Sequence, residues 1–102
     1  MFGEIILFEL PNFQGRHKHL FASEPGLEDR VSSMAILSGS WRLCQGPHFV
    51  APYPGPFGVG LYPDVTAYGV RDAGVSSVEQ SPLPPAIEGE PIPGHAILSL
   101  LP

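Results

Sequence analysis

A continuous apolar run lies near the start of the chain. Ile5, Ile6, Leu7 and Phe8 follow one another with no polar residue between them. Continuous apolar runs of this length are typical of a strand that is covered on both faces, so a first strand is predicted over residues 4–10. The 13 prolines and 12 glycines of the chain favour short strands joined by tight turns over long helices.

A turn follows this strand directly. Pro11 fixes φ at about −65°, Asn12 tolerates the left-handed region, and Gly15 can take a positive φ without a Cβ clash. Phe13 is then expected to fold back onto the strand that precedes it. The pattern predicts a strand folded back on itself, and it does not indicate a catalytic loop.

Two more strands are predicted from alternation and spacing. Residues 16–21 form a second strand in which His17 and His19 share one face, because side chains alternate between the faces of a strand. Residues 22–30 contain a Pro-Gly pair and are predicted to form a loop. Residues 31–37 form the third predicted strand.

The hairpin signature occurs a second time in altered form. Residues 43–51 repeat the order of residues 8–15, and the Val-Ser-Ser triplet at residues 31–33 returns at residues 75–77. A repeat of roughly 40 residues usually means one supersecondary unit used more than once. The chain is therefore interpreted as two copies of one unit.

These motifs carry a family resemblance. They are a Phe-Glu-x-Pro-x-Phe-x-Gly hairpin at residues 8–15, a serine pair at residues 32–33, Gly39-x-Trp41, Tyr62-Pro63-Asp64 and Tyr68-Gly69. Together they resemble the βγ-crystallin domain over residues 4–80, and within that family the non-lens, absent-in-melanoma type. The resemblance implies an all-β fold in which two Greek-key motifs, residues 1–40 and 41–80, form one β-sandwich domain.

The resemblance also implies structural roles. In that family a later serine packs on the hairpin and hydrogen-bonds to it. The structural residues implied here are Phe8, Phe13, Gly15, Ser33, Trp41 and Ser77. The family pattern further implies that Met34 and Ile36 face the core, whereas Ala35 and Leu37 face outward.

The second copy departs from the family pattern. Cys44 stands where an aromatic residue is usual, and Ala51 stands where glycine is usual. If the backbone there has a positive φ, alanine costs roughly 1 kcal/mol relative to glycine. Pro52, Pro54 and Pro56 occupy alternate positions and remove the donors along one edge, so a strand here is predicted to pair on one side only.

The composition changes beyond residue 80. Residues 81–102 include two proline-rich stretches, 81–85 and 91–94, which predict an extended tail or linker and not a strand pair. The apolar end at residues 96–101 is too short to span a membrane. We expect it to dock on the domain or to continue into a longer chain.

Charge excludes several classes of partner. A net charge of −5 with only 5 Lys and Arg disfavours binding to nucleic acid. The sequence also contains no basic amphipathic helix of the kind that binds a membrane surface. The N-terminus has no basic flank and Glu4 interrupts its apolar run, so a signal peptide is not predicted. The single cysteine has no internal disulfide partner. These features favour a cytoplasmic, intracellular protein.

The one cofactor that the resemblance implies is calcium. The family motif, Asn/Asp-Asn/Asp-x-x-Ser/Thr-Ser, aligns with residues 28–33 and 72–77. Calcium takes about six to eight oxygen ligands. Because Glu28 and Ala73 depart from the motif, we expect either no cofactor, with loop acids preceding structural serines, or one weak site that keeps Asp29 with Ser76. The candidate calcium ligands are Asp29, Ser32, Asp72 and Ser76.

Other chemistries receive less support from the sequence. His17 and His19 with His48 lack an assigned further ligand for zinc, and solvated strand histidines are the preferred interpretation. Cys44 has no general base or oxyanion arrangement visible in the sequence, so no enzyme is predicted.

The predicted function is that of a non-enzymatic structural or interaction module. It would belong to a larger non-lens protein and contact a protein partner or neighbouring crystallin-type domains. One alternative is a calcium-binding domain with a degenerate site. A second alternative is a carbohydrate-binding module, for which Tyr53, Phe57 and Tyr68 are the candidate aromatic platform.

Overall fold

The computed structural model describes residues 3–28 and 30–93 of the chain. Two short 3-10 turns, Pro11–Phe13 and Val65–Tyr68, occur within these ranges. The predicted all-β class is confirmed. The strands in the described part of the chain are β1 Glu4–Leu10, β2 Gln14–Leu20, β3 Ser33–Ser38, β4 Trp41–Cys44, β5 Gly60–Tyr62 and β6 Ser77–Gln80.

The first sheet contains strands from both copies of the repeat. Its order is β2-β1-β3-β5, and every neighbouring pair is antiparallel. Ile6 of β1 lies opposite His19 of β2 and opposite Ala35 of β3. β5 belongs to the second copy, yet it pairs with β3 of the first copy, with Met34 opposite Tyr62.

The second sheet is built in the same way. β4 and β6 are antiparallel, with Leu43 opposite Val78. Glu24 of the first copy pairs with Val78 through hydrogen bonds of 2.8 and 3.0 Å. Residues 52–57 lie along the other side of β4. Each copy therefore contributes a segment to the sheet of the other, and the two Greek-key motifs form one β-sandwich.

The main core contains residues from both sheets. Met34 and Ile36 of β3 are fully buried there with Trp41 and Leu43 of β4. The Trp41 indole Nε1 donates to the Ser38 carbonyl oxygen at 3.0 Å, so its one polar group is satisfied while the ring is buried. The remaining members are Ile5, Leu7, Val31, Tyr53, Phe57, Tyr62, Val65, Val70, Val75 and Val78.

A second apolar cluster differs from what the sequence predicted. Ala35 and Leu37 were expected to face outward, but Ala35 is fully buried and Leu37 is half-buried. They belong to a cluster with Ile6 and Phe8, and Phe13 packs against that cluster. Alternation correctly separates these residues from Met34 and Ile36, but it cannot reveal that the folded hairpin covers the outer face.

The first hairpin has an unusual backbone. Asn12 and Phe13 have φ values of 59° and 62°, and Gly15 has a φ of 81°. Few residue types other than glycine and asparagine enter this left-handed region without cost. The turn brings Phe13 back onto Phe8, with ring centroids 5.6 Å apart in an edge-to-face arrangement.

A serine hydroxyl holds this hairpin closed. Ser33 Oγ donates to the Leu10 carbonyl oxygen at 2.6 Å and accepts from the Phe13 amide at 3.0 Å. Ser33 is fully buried, so the two backbone groups on either side of the turn are satisfied away from water. The bond also ties the hairpin to the start of β3.

The second hairpin repeats this arrangement despite its altered sequence. Ser77 Oγ donates to the Gly46 carbonyl oxygen at 2.7 Å and accepts from the Phe49 amide at 3.0 Å. His48 and Phe49 have φ values of 55° and 64°, and Ala51 has a φ of 54°. The second copy therefore keeps the serine contact and holds an alanine in the left-handed region.

The proline-rich segment at residues 52–57 donates hydrogen bonds to β4 from its odd-numbered residues. The Tyr53 amide donates to the Leu43 carbonyl at 2.8 Å, and the Phe57 amide donates to the Trp41 carbonyl at 2.8 Å. These contacts are isolated bridges and not a regular strand. On the opposite edge, the Pro56 carbonyl accepts from a later segment, because proline removes a donor but not an acceptor.

That later segment is the tail, and its described residues, 81–93, include contacts with the sandwich. Ile87 packs against the main core, and Glu90 forms an antiparallel bridge with Leu61. This differs from the expectation of a tail without strand pairing. The predicted domain boundary at residue 80 stays a prediction, and the apolar end at residues 96–101 lies outside the described residues.

Among the described residues, no helix has the length and apolar character that crossing a membrane requires.

Gly15→Val is expected to lower the free energy of unfolding by about 1–3 kcal/mol, because a β-branched residue is strained at positive φ. An added Cβ would also lie 3.0 Å from Leu10 Cγ. Urea denaturation followed by Trp41 fluorescence measures the change. Gly26→Val is the matched control, since Gly26 has open space and no positive φ. Equal losses from both variants would contradict the left-handed backbone at residue 15.

Ser33→Ala is expected to cost about 1–3 kcal/mol of unfolding free energy, because it leaves the Leu10 carbonyl and the Phe13 amide without their partner. Ser40→Ala is the control. The Ser40 hydroxyl is buried without a hydrogen-bond partner among the described residues, so its removal should cost little. Denaturation curves of the two variants should separate clearly, and coincident curves would refute the role given to Ser33.

Candidate functional site

The calcium motif of the first copy ends in two serines with different roles. Ser33 closes the hairpin, whereas the Ser32 hydroxyl donates to Asp72 Oδ1 of the second copy at 2.5 Å. The Ser32 amide donates to the Phe8 carbonyl at 2.9 Å, and its carbonyl accepts from the Val65 amide at 3.0 Å. Both backbone contacts position the hydroxyl for Asp72.

Asp72 lies in a turn that the first copy also supports. The Ala73 amide donates to the Val31 carbonyl at 3.3 Å, and Ala73 has a φ of 53°. Gly74 leaves no room for a side chain, because an added Cβ would lie 2.7 Å from the Tyr53 hydroxyl and 2.9 Å from Arg71 Nε. The turn thus holds the Asp72 carboxylate near Ser32 and places a guanidinium beside Gly74.

Ser76 occupies the equivalent position in the second copy. Its amide donates to the Cys44 carbonyl at 2.9 Å, and its carbonyl accepts from the Leu27 amide at 2.7 Å. Its hydroxyl donates to the Gln45 carbonyl at 2.8 Å. The predicted partner, Asp29, lies outside the described residues.

The structure therefore brings together a pair that the sequence analysis did not put together. Ser32 and Asp72 meet, although the motif comparison assigned the surviving site to Asp29 and Ser76. The spacing within each motif gave no signal for this contact, since it joins residues of different copies. Only the intercalation of the two motifs places them side by side.

The Ser32–Asp72 pair fits calcium in the type of its donors. A carboxylate and a hydroxyl are hard oxygen ligands of the kind that calcium prefers. Within residues 3–28 and 30–93, no cluster of three or more His, Cys, Asp or Glu side chains occurs.

The histidines of β2 have contacts that the sequence did not predict. His19 Nε2 lies 2.6 Å from Glu4 Oε2, and the imidazole stacks on Phe21 with ring centroids 4.7 Å apart. The His17 ring is tilted by 45° relative to the Phe8 ring, with ring centroids 6.2 Å apart. His48 lies in the second hairpin. Each β2 histidine thus contacts a neighbouring side chain.

An open cleft beside β2 gathers much of the positive charge. It has a volume of about 380 Å³, and Arg16, Lys18 and Arg30 line it together with Glu9 and Glu28. Three of the 5 Lys and Arg residues of the chain therefore share one cleft. The two glutamates in the lining, and the Lys18 contact with a third glutamate at 3.7 Å, offset most of this charge. No motif in the sequence indicates this cleft.

The candidate aromatic platform does not form. Tyr53 is buried and its hydroxyl donates to the Gly74 carbonyl at 2.7 Å, and Phe57 is fully buried. Tyr68 is half-buried and packs edge-to-face on Tyr62 at 4.9 Å. A carbohydrate would therefore find only one of the three candidates at the surface.

Cys44 is fully buried at the end of β4. Burial raises the pKa of its thiol above the ordinary value, while a hydrogen bond with Ser77 acts in the opposite direction. Cys44 stands where the family pattern has an aromatic residue, and this position is fully buried although the side chain is smaller.

Comparison with known proteins assigns the family. The beta/gamma crystallin family model matches residues 4–80. A beta gamma crystallin from Ciona intestinalis is 34% identical, with 78% of this chain and 100% of that chain covered and a TM-score of 0.73. A transition-metal-ion-binding βγ-crystallin from Methanosaeta thermophila is 36% identical, with 74% and 96% covered and a TM-score of 0.67.

A non-lens relative also matches. The fifth crystall domain of the non-lens protein Absent in melanoma 1 is 26% identical, with 83% of this chain and 94% of that domain covered and a TM-score of 0.71. A comparison with curated proteins found no significant match. The family match over residues 4–80, together with two serine-closed hairpins and intercalated Greek keys, shows that the chain belongs to the beta/gamma crystallin family.

Proposed function

We propose that this chain is a non-enzymatic structural and interaction module of a larger non-lens protein. Its contacts would be with a protein partner or with neighbouring crystallin-type domains. The observation that carries the proposal is that four hydroxyl groups of this domain form hydrogen bonds within the fold. The Ser33, Ser77, Tyr53 and Tyr62 hydroxyls all donate to main-chain carbonyls of the fold.

The tyrosines illustrate how these groups are committed to structure. The Tyr62 hydroxyl donates to the Gly58 carbonyl at 2.6 Å, and burial raises the pKa of Tyr62 above its ordinary value. A phenol that stays protonated keeps donating this bond. The Tyr53 hydroxyl similarly fixes the Gly74 carbonyl. Groups of this kind stabilise loops and are occupied by the protein itself.

The one thiol is placed for packing and not for nucleophilic attack. The thiolate is the reactive form of cysteine, and a reactive cysteine normally has a lowered pKa and access to solvent. Cys44 has neither property, since it is fully buried and its pKa is raised. This supports a structural role for the residue at the start of the second hairpin.

The interaction role draws support from the surface and from one relative. Leu10 and Val50, next to the two hairpin turns, are 49% and 54% exposed, and Phe21 is 56% exposed. Exposed apolar side chains of this size are available for protein contacts, although single ones also occur on ordinary surfaces. The similarity to a domain of a non-lens protein that contains at least five such domains favours a multi-domain context.

A second candidate function is calcium binding at Ser32 and Asp72. The contact between these two side chains, which come from different copies, favours it. A metal ion there would replace the hydroxyl proton of Ser32 as the partner of the carboxylate. Metal binding within the family has precedent in the transition-metal-ion-binding relative.

Cys44 should react with a thiol reagent such as DTNB about tenfold or more slowly than a free cysteine, because burial and a raised pKa both suppress the thiolate. Absorbance of the released thiolate measures the rate in native buffer. In 6 M guanidinium, used to unfold the chain, the same thiol should react at the rate of free cysteine. A native rate equal to the denatured rate would contradict the buried position.

The melting temperature should be the same in chelator and in about 1 mM calcium, a concentration that fills weak protein sites. Circular dichroism on the wild-type chain and on Asp72→Ala measures this, with Glu88→Ala as the matched control because Glu88 is an exposed acid far along the chain. A calcium-dependent rise that Asp72→Ala removes and Glu88→Ala retains would replace the structural proposal with the calcium one.

A further inference from the structure

The short strand β5 has an edge that the tail covers. β5 pairs with β3 on one side, and its other side carries the amide and carbonyl of Leu61. The Leu61 amide donates to the Glu90 carbonyl at 2.8 Å, and the Glu90 amide donates back to the Leu61 carbonyl at 2.8 Å. This exchange is the hydrogen-bond pattern of an antiparallel strand pair.

The same tail segment also contacts the edge of the second sheet. The Pro56 carbonyl accepts from the amides of Ala86 and Ile87 at 2.9 and 3.2 Å. The Gly58 amide donates to the Ile87 carbonyl at 2.7 Å. Residues 86–90, named here the strap, therefore span the edges of both sheets, and residues 56–61 form the groove that holds them.

The residues around the groove restrict which side chains a bound segment can carry. Ile87 is half-buried and packs against the main core. Two residues later, a Cβ on Gly89 would lie 2.6 Å from the Leu61 carbonyl oxygen and 2.8 Å from Tyr62 Cε1. Likewise, a Cβ on Gly60 would lie 2.6 Å from Gly89 Cα. The groove thus accepts an isoleucine and then requires glycine two positions on.

The strap lies outside the part of the chain that defines the family. The family model ends at residue 80, and the strap begins six residues later. Main-chain hydrogen bonds with pockets for alternate side chains are how sheet edges bind extended peptides. The strap makes main-chain hydrogen bonds to the sheet edges and packs the Ile87 side chain against the core. It therefore binds as an extended peptide would, although it belongs to the same chain.

We propose that the groove at residues 56–61 is a docking site for an extended peptide of the pattern Ile-x-Gly, and that the strap occupies it as an intramolecular ligand. A partner segment of the same pattern binds once the strap is displaced. The proposal rests on the interaction role proposed above and names its surface. The docking proposal is tested by peptide binding, whereas the proposed structural function is tested against calcium by melting temperature. A failure of one can therefore be distinguished from a failure of the other.

The effective concentration of a short tethered ligand is of millimolar order, so the strap strongly competes with peptide added in solution. The double variant Ile87→Asp and Gly89→Val disturbs the strap and leaves the groove unchanged. The probe is a fluorescein-labelled peptide of residues 83–92, and fluorescence anisotropy measures its binding to the full chain. We expect binding at least tenfold tighter to the double variant than to the wild-type chain.

Peptide variants test the side-chain preference. The peptide carrying Gly89→Val should lose binding, whereas the peptide carrying Glu88→Ala should retain it, because the Glu88 side chain is exposed. Amide hydrogen exchange gives a second readout: Leu61 and Gly58 should lose protection in the double variant and regain it with the wild-type peptide. If the double variant does not fold, Glu90→Pro takes its place, because it removes the Glu90 donor to Leu61 and restricts the strap backbone at residues 89 and 90.

Three results would overturn the proposal. One is equal peptide affinity for the wild-type chain and the strap variant, and another is no peptide binding to either folded strap variant. The third is dimerisation of the strap variant without peptide binding, since that would make a second copy of the chain the occupant of the edge. Sedimentation velocity on the same samples detects the dimer.

Discussion

A buried serine hydroxyl closes each hairpin, and the rest of the fold depends on this contact. In the first copy, a backbone with positive φ at Asn12 and Phe13 withdraws the Leu10 carbonyl and the Phe13 amide from the regular ladder. Ser33 satisfies both groups at once. Leaving both groups without this partner would cost about 1–3 kcal/mol in total. Because Ser33 opens β3, the hairpin, the third strand and both apolar clusters are stabilised together.

The same contact links structure to the candidate calcium pair. Ser32 precedes Ser33, and its hydroxyl meets Asp72 of the other copy. A ligand at Ser32 would act on the residue next to the hairpin serine, so ion binding and domain stability would be coupled directly. The interleaving of the two copies also creates the β5 edge, because a strand of the second motif is placed at the rim of the first sheet. The strap then covers that rim.

Much of the fold was predictable because its signals are local. The apolar run of β1, the Pro11–Phe13 turn and the alternation in β2 each depend on a few adjacent residues, and their bounds agree with the structure to within two residues. The serine contact was predictable through the family resemblance. The candidate site was less predictable. Ser32 and Asp72 are 40 residues apart in sequence, so no local spacing indicates that they meet.

The sequence by itself indicated the positions of the first three strands and the left-handed turn of the first hairpin, and its motifs indicated the family. It did so because backbone preferences and alternation act over a few residues. The tertiary structure alone decided what covers each face. It buried Ala35 beneath the hairpin, closed the sandwich over Cys44, and joined Leu61 to Glu90. Burial depends on which distant segments reach a surface, and neither composition nor periodicity contains that information.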